Sequence, residues 1–337
     1  MDPAITTQTT KATDVQATGQ PRRVRVVDLG YRFALVLAWI ALIVVFGLLE
    51  PDTFLTASNF QTIFGSQAVL LILTLGLIVP LSAGEYDLSV AGMLGLSLVL
   101  MGWLNVTVGL PIYLAIMLAL AAGVMAGLIN AFFVVVVGVE SLVVTLGMGT
   151  LLTGIAVGVQ NSTLSGIDHG FVDLARTQFL GVQLAFWFGL ALTVLIWYVY
   201  SYTPLGRYLY FVGAGPEVAR LTGVRVKAIR AGSLVFSGFL AALAGVVLAG
   251  TLGGSDPTVG PSYLLPAFAA AFLGATAITP GRFNPWGSFV SVYFLVTGIT
   301  GLQLVGAIGW VEQFFYGFSL IVAVTFSKLV GRARTGG

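Results

Sequence analysis

Glu85 and Asp87 are the residues of this chain best placed to do chemistry. Two carboxylates two positions apart can act as general acid and general base, or pass a proton along. An ionisable group in an otherwise apolar run is costly to keep there, which marks it as functional by default. Yet no His, Lys or Arg stands near them in the sequence, and no substrate-binding signature accompanies them. A structural role competes with the chemical one. Asp87 precedes an apolar run, and its carboxylate can accept N–H bonds at the first turn of a helix. We read it as such a cap in preference to a gate or a proton relay. His169, beside Asp168, is the single histidine. Alone it makes neither a metal site nor a triad, no HExxH or GxSxG pattern is present, and it is expected on a solvated surface. With no cysteine in the chain, disulfides and thiolate metal sites are excluded.

The other concentration of charge is basic. Five of the fifteen Lys and Arg residues, Arg207, Arg220, Arg225, Lys227 and Arg230, fall in the segment 202–230. Within it, 216–222 is expected to form a helix of about two turns. Pro216 suits a first helical turn, where its missing N–H costs nothing. Glu217 complements the positive end of the helix dipole. Gly223 can take the left-handed conformation that ends the helix, and Gly215 precedes it. Such a helix would present Ala219, Arg220 and Leu221 to another protein; the competing reading is a polar linker.

The elements that position these groups are set by composition. The chain has 337 residues, of which 58% are hydrophobic and 8% charged, with a mean hydropathy of +1.00. Soluble domains carry about 25% charge, so the bilayer must be the main solvent. The fold class is all-α, a polytopic membrane protein, and no nucleic-acid-binding surface is indicated. About 20 apolar residues cross the hydrocarbon core. Ten runs qualify: 31–49, 66–83, 88–106, 111–137, 141–159, 183–201, 231–250, 263–279, 287–303 and 309–327. Residues 1–30 are expected to form a disordered cytoplasmic tail, 31–328 the transmembrane domain and 329–337 a second cytoplasmic tail. With both termini inside, fourteen of the fifteen basic residues lie on the cytoplasmic side and only Arg176 lies outside, as the positive-inside rule requires.

Four stretches, in order and at compatible spacing, carry a resemblance. They are Gly84-Glu85-Tyr86-Asp87-Leu88-Ser89-Val90; Asn130-Ala131-Phe132 with Ser141-Leu142-Val143-Val144-Thr145-Leu146-Gly147; Gly206-Arg207-Tyr208 with Gly215-Pro216-Glu217-Val218-Ala219-Arg220-Leu221-Thr222-Gly223-Val224; and Ser255-Asp256-Pro257-Thr258-Val259-Gly260. Over about 58–328 the chain resembles the ribose/xylose-type permeases of binding-protein-dependent ABC transporters. It departs from the family pattern at Glu85-Tyr86, at Glu140-Ser141 and at Pro280-Gly281-Arg282-Phe283-Asn284-Pro285.

The resemblance implies a permease subunit in the bacterial inner membrane, importing a monosaccharide or similar polyol. Its expected partners are an ATPase subunit, a periplasmic or lipid-anchored binding protein, and a second permease copy or a paralogue. The segment 202–230 would be the cytoplasmic coupling loop, with Gly206, Arg207, Gly215, Pro216, Glu217, Ala219, Arg220, Leu221 and Gly223 contacting the ATPase. No GxxxxGK[ST] sequence occurs. No cofactor is therefore expected in this chain, and ATP and Mg would be bound by the partner. A path for a hydroxylated solute needs several weak hydrogen-bonding sites. The candidates are Gln67, Asp87, Ser89, Asn130, Thr145 and Gln303, although each could equally join helices to one another. Relatives carrying branched-chain amino acids or nucleosides, and an ion-gradient-driven transporter, remain alternatives. Finally, the stretches beginning at Asp87 and Asp256 echo each other from opposite sides, as an inverted repeat would.

Overall fold

A computed structural model describes residues 23–307 and 309–335. The outermost stretches of both expected tails, 1–22 and 336–337, lie outside the described residues, as do Lys11 and Arg22. Helix α1 (Arg23–Leu49) begins inside the expected tail. After it come α2 (Pro51–Phe54), α3 (Ala57–Ser66), α4 (Ala68–Ser82), α5 (Val90–Gly102), α6 (Ile112–Ala131) and α7 (Ser141–Val159). The short α8 (His169–Arg176) precedes α9 (Leu184–Tyr202), α10 (Pro204–Ala214), α11 (Pro216–Leu221) and α12 (Val226–Leu252). The chain closes with α13 (Leu264–Gly274), α14 (Pro285–Leu304) and α15 (Val311–Thr335). Among the described residues, eight stretches are long and apolar enough to cross a membrane, and two shorter apolar helices, Gly260–Gly274 and Val311–Thr325, match the other two expected runs.

The core is α4, whose residues are all buried. A helix apolar on every face must be surrounded, and α4 is enclosed by α9, α12, α13 and α14. Helix α12 also packs along α5 and α6. Gly123 of α6 and Gly238 of α12 face each other's backbone so closely that a Cβ on either would overlap the other's carbonyl. Backbone contact of this kind is the usual route to helix association in lipid. Gly238→Val is expected to wedge α6 from α12 and cost about 1–3 kcal/mol, read as a lowered midpoint of thermal unfolding in detergent.

The turns collect at two ends. At one, the α4–α5 turn, α10 and α11, and the α13–α14 turn meet: a Cβ at Gly84 would touch Gly213, and the Tyr210 hydroxyl donates to the Phe283 carbonyl. We call this the basic end. At the other, strands β1 (Leu164–Ser165) and β4 (Gly254–Ser255) pair antiparallel, next to a small hairpin of β2 (Gln178–Phe179) and β3 (Val182–Gln183). Asp168 caps α8 there, accepting from the Phe171 N–H at 2.9 Å, and His169 is exposed as expected. Arg176, the lone outlying cation, donates to the Thr251 and Leu252 carbonyls at 3.0 and 2.9 Å. It thus satisfies carbonyls that the end of α12 leaves without helical partners.

Candidate functional site

The turn 83–89 joins two buried helices; Gly84 and Tyr86 are exposed, but Glu85, Asp87 and Ser89 are buried, so their polar groups must find partners inside. Asp87 Oδ1 accepts from the Ser89 N–H at 3.0 Å and from Ser89 Oγ at 2.5 Å. Asn130, at the end of α6, donates through Nδ2 to Ser89 Oγ at 2.8 Å. On the other side, the Tyr86 N–H donates to Ser141 Oγ, and the Leu88 N–H to Thr145 Oγ1, both in the first turns of α7. Asp87, Ser89 and Asn130, three of the expected path residues, are therefore joined side chain to side chain, and a fourth, Thr145, holds the backbone of the same turn; all four are buried. The other two are elsewhere. Gln67 lies between α3 and α4, bonded to Ser66, and Gln303 is exposed at the end of α14, both at the opposite end.

The network is incomplete. Asp87 Oδ2, Asn130 Oδ1 and Ser237 Oγ of α12 are buried without hydrogen-bond partners. Burial pushes the Asp87 carboxyl above the usual carboxylate range, outweighing its hydrogen bonds to Ser89 and the closeness of the Ser237 hydroxyl. A proton on Oδ2 would supply the donor that this cluster of oxygens lacks.

Sequence reasoning missed two residues here. Ser237 lies more than a hundred positions from Asp87 and stands in no motif. Arg230, 145 positions away in the sequence, stands beside one of the carboxylates in the fold: its Nε pairs with Glu85 Oε1. The Glu85 side chain is 5% exposed and that of Arg230 31%. The pair joins the α4–α5 turn to the first turn of α12.

The basic segment is more structured than a loop. Helix α10 precedes α11, and its glycines lie on backbone. A Cβ at Gly206 would overlap Tyr200, and one at Gly213 the Ser82 carbonyl. Gly206 is thus a packing position at the corner between α9 and α10. Arg282 lies over the Tyr210 ring, 5.2 Å from its centre. Burial pushes the Tyr210 phenol up to about 12, with the guanidinium pulling the other way. Asn284 fixes this neighbouring turn, donating to three carbonyls and capping α14 through the Gly287 N–H.

Helix α11 begins at Pro216, and Gly223 follows with φ +83° as expected. One expectation is overturned. Ala219 is fully buried, because it points two residues, or about 200°, away from Leu221. The projecting apolar residues are Val218, 58% exposed, and Leu221, 84% exposed. Arg207 is exposed on α10, and Glu217 pairs with Arg220 at 3.1 Å on the surface.

Three of the four stretches that carried the resemblance, those at 84–90, 130–147 and 206–224, thus converge at the basic end. A family model described as the permease component of the branched-chain amino acid transport system matches residues 59–324. The chain belongs to this permease family. Among curated relatives, the permease is 28% identical over 303 residues to the ribose import permease protein RbsC of Haemophilus influenzae, covering 88% of this chain and 93% of the relative. It is 30% identical over 301 residues to the autoinducer 2 import system permease protein LsrC of Salmonella typhi, covering 89% and 85%. It is 29% identical over 302 residues to LsrD of Salmonella paratyphi B, covering 87% and 90%. No solved structure matches the permease.

Proposed function

We propose that this permease is the membrane subunit of a binding-protein-dependent importer in the bacterial cytoplasmic membrane, carrying a monosaccharide or similar small polyol. ATP and Mg are bound by a separate ATPase. The observation that carries the reading is the similarity, along nearly the whole chain, to permeases named for ribose and autoinducer 2 import. The family description names branched-chain amino acids instead, so the test includes them. Reconstituted with its ATPase and binding protein in vesicles, the permease is expected to import labelled ribose or another small polyol on ATP with ion gradients collapsed. Gradient-dependent uptake without ATP would overturn the class, and uptake of leucine alone would overturn the solute. A gradient-driven mechanism needs ionisable sites in mid-membrane. The buried acids among the described residues, Glu85 and Asp87, both sit at the basic end.

The basic end faces the cytoplasm in this reading, by the positive-inside rule, and both termini lie inside. The ATPase docks on α11 through Val218 and Leu221, with Glu217 and Arg220 at the rim. An exposed ion pair is worth little, so the apolar pair dominates. Leu221→Asp is expected to abolish co-purification of the ATPase, whereas Glu217→Ala with Arg220→Ala weakens it only severalfold. Equal retention by both variants would remove this assignment.

The solute path follows a groove of 460 Å³ beside the buried network, lined by Leu88, Gly92, Gly149, Thr150, Thr153 and Pro261. A second membrane subunit closes it. LsrC and LsrD are named as permeases of one autoinducer 2 system, which makes a paralogue as acceptable as a second copy. Because the chain has no cysteine, Thr153→Cys gives a single labelling site. Solute and ATP are expected to change its reactivity with a water-soluble maleimide. An inverted repeat relates the two halves. Asp256 Oδ1 accepts from the Thr258 N–H and hydroxyl as Asp87 Oδ1 does from Ser89. Helix α13 packs on α14 and α15 as α5 does on α6 and α7.

A further inference from the structure

Helices α9 and α12 both pack on α4 but diverge from each other, leaving a cleft on the outside of the bundle. At the basic end its volume is 340 Å³ and its walls are apolar. Leu195 and Val199 come from α9, Ile229 and Phe236 from α12, Leu205 and Leu209 from α10. Leu195, Leu205 and Phe236 are exposed, so the cleft opens toward the hydrocarbon and not into the bundle. Ala228 and Ile229 also line a second, wider cavity, which continues from the cleft to the surface between α10, α11 and α12. Its rim is polar: Tyr208, Thr222, the backbone at Gly223 and Arg225.

The charge at this rim is unbalanced. Arg225, with Arg207 and Lys227 on the same segment, is exposed and in no ion pair among the described residues. The acid of that segment, Glu217, is engaged by Arg220, and the neighbouring Glu85 by Arg230. The same two helices flank an apolar cavity of 260 Å³ at the other end, under α8. There the cation, Arg176, is occupied by carbonyls of α12. Among the described residues, the basic end therefore combines an apolar slot with a cation in no ion pair, in the cavity that continues from it. That combination matches a chain-bearing anion, whose tail is apolar and whose phosphate seeks Arg.

We infer that this cleft holds one acyl chain of an anionic phospholipid, with the phosphate against Arg225 at its mouth. The site is independent of which solute is carried and of what docks at Leu221. Because Leu205, Leu209 and Ile229 belong to the segment around α11, an occupied cleft would brace that segment against the bundle.

The test is native mass spectrometry of the full-length permease in detergent, titrated with phosphatidylglycerol, phosphatidylcholine of the same chains, or soluble glycerol phosphate. Phosphatidylglycerol is expected to stay bound at concentrations where the other two do not. A Cβ at Gly232, a residue lining the cleft, meets nothing within 4 Å. Gly232→Leu therefore fills the cleft without disturbing the fold, and it is expected to weaken phosphatidylglycerol by about tenfold or more, or about 1.4 kcal/mol. Arg225→Gln is expected to reduce it to the level of phosphatidylcholine. Equal binding of both lipids by the parent protein would leave a slot for any amphiphile and overturn the proposal. Binding of glycerol phosphate as tight as that of the lipid, or an unchanged Gly232→Leu, would overturn it as well.

Discussion

Arg230→Ala is expected to destabilise the permease by about 3–5 kcal/mol, the cost of leaving a buried charge without its partner. The reasoning starts from the asymmetry of the pair. Glu85 is 5% exposed in a turn held between α4 and α5, while Arg230 is 31% exposed at the start of α12. Without the guanidinium, the Glu85 carboxylate, 5% exposed, is left without its one ion-pair partner among the described residues. Without the carboxylate, Arg230 can swing its long side chain outward and keep its charge hydrated. Glu85→Ala is therefore expected to cost clearly less than Arg230→Ala, and the double variant less than Arg230→Ala alone. Glu85→Leu with Arg230→Met, which removes both charges and keeps apolar volume, is expected to come close to the parent. The measurement is a double-mutant cycle in the midpoint of thermal unfolding in detergent. If the two single variants cost the same, or their effects simply add, the pair is not the tie between the α4–α5 turn and α12 that the geometry describes.

That pair also shows where the sequence was silent. The run lengths of apolar residues placed the spans closely: 141–159 was expected and α7 occupies Ser141–Val159. Span length depends on the bilayer, which the sequence reports directly through hydropathy. The turn chemistry was legible too, since Pro216 and Gly223 bracket α11 by local backbone preferences alone. What could not be read is pairing between distant segments. Arg230 looked like one more cation of a basic loop until packing set it against Glu85, 145 positions away. Ala219, Arg220 and Leu221 cannot all face a partner, because a two-turn helix lying on a surface must bury one face, and the phase of that face is decided by tertiary contact. Gln67 and Gln303 have the same chemistry but lie at the opposite end from the other four. By contrast Asp87, Ser89, Asn130 and Thr145 are polar residues that an apolar chain must satisfy, and the fold gathers them at one turn: the first three bond one another, and Thr145 bonds the backbone of Tyr86 and Leu88.

Asp87→Leu is expected to cost about 2–4 kcal/mol, since it strips acceptors from the Ser89 N–H and hydroxyl in a site closed to water, at about 1–3 kcal/mol for each buried group left unpaired. Asp87→Asn is expected to behave oppositely and to match or exceed the parent in stability. Its amide keeps Oδ1 for Ser89 and places an N–H donor where Oδ2 now has no partner, near the Ser237 hydroxyl. Acidity separates this account from one in which Asp87 is a buried anion. Burial raises the folded-state pKa above the unfolded value of 3.8. The stability contributed by the protonated carboxyl is then complete below that value and is lost as pH rises through the folded-state pKa. The parent should therefore lose stability relative to Asp87→Asn on going from acid toward neutral pH, measured by unfolding midpoints across that range. A buried anion would give the reverse, with Asp87→Asn falling behind as pH rises. The expected cap is not what the structure shows: Ser89 is the residue that precedes α5, no side chain bonds the first turn, and Asp87 bonds Ser89 itself. Transport decides between this turn-holding role and the relay: the former predicts uptake by Asp87→Asn within about twofold of the parent, because the amide makes the same bond to the Ser89 N–H. A relay cannot run on a side chain that holds no exchangeable carboxyl proton, and loss of uptake from a fully folded Asp87→Asn permease would return Asp87 to that role.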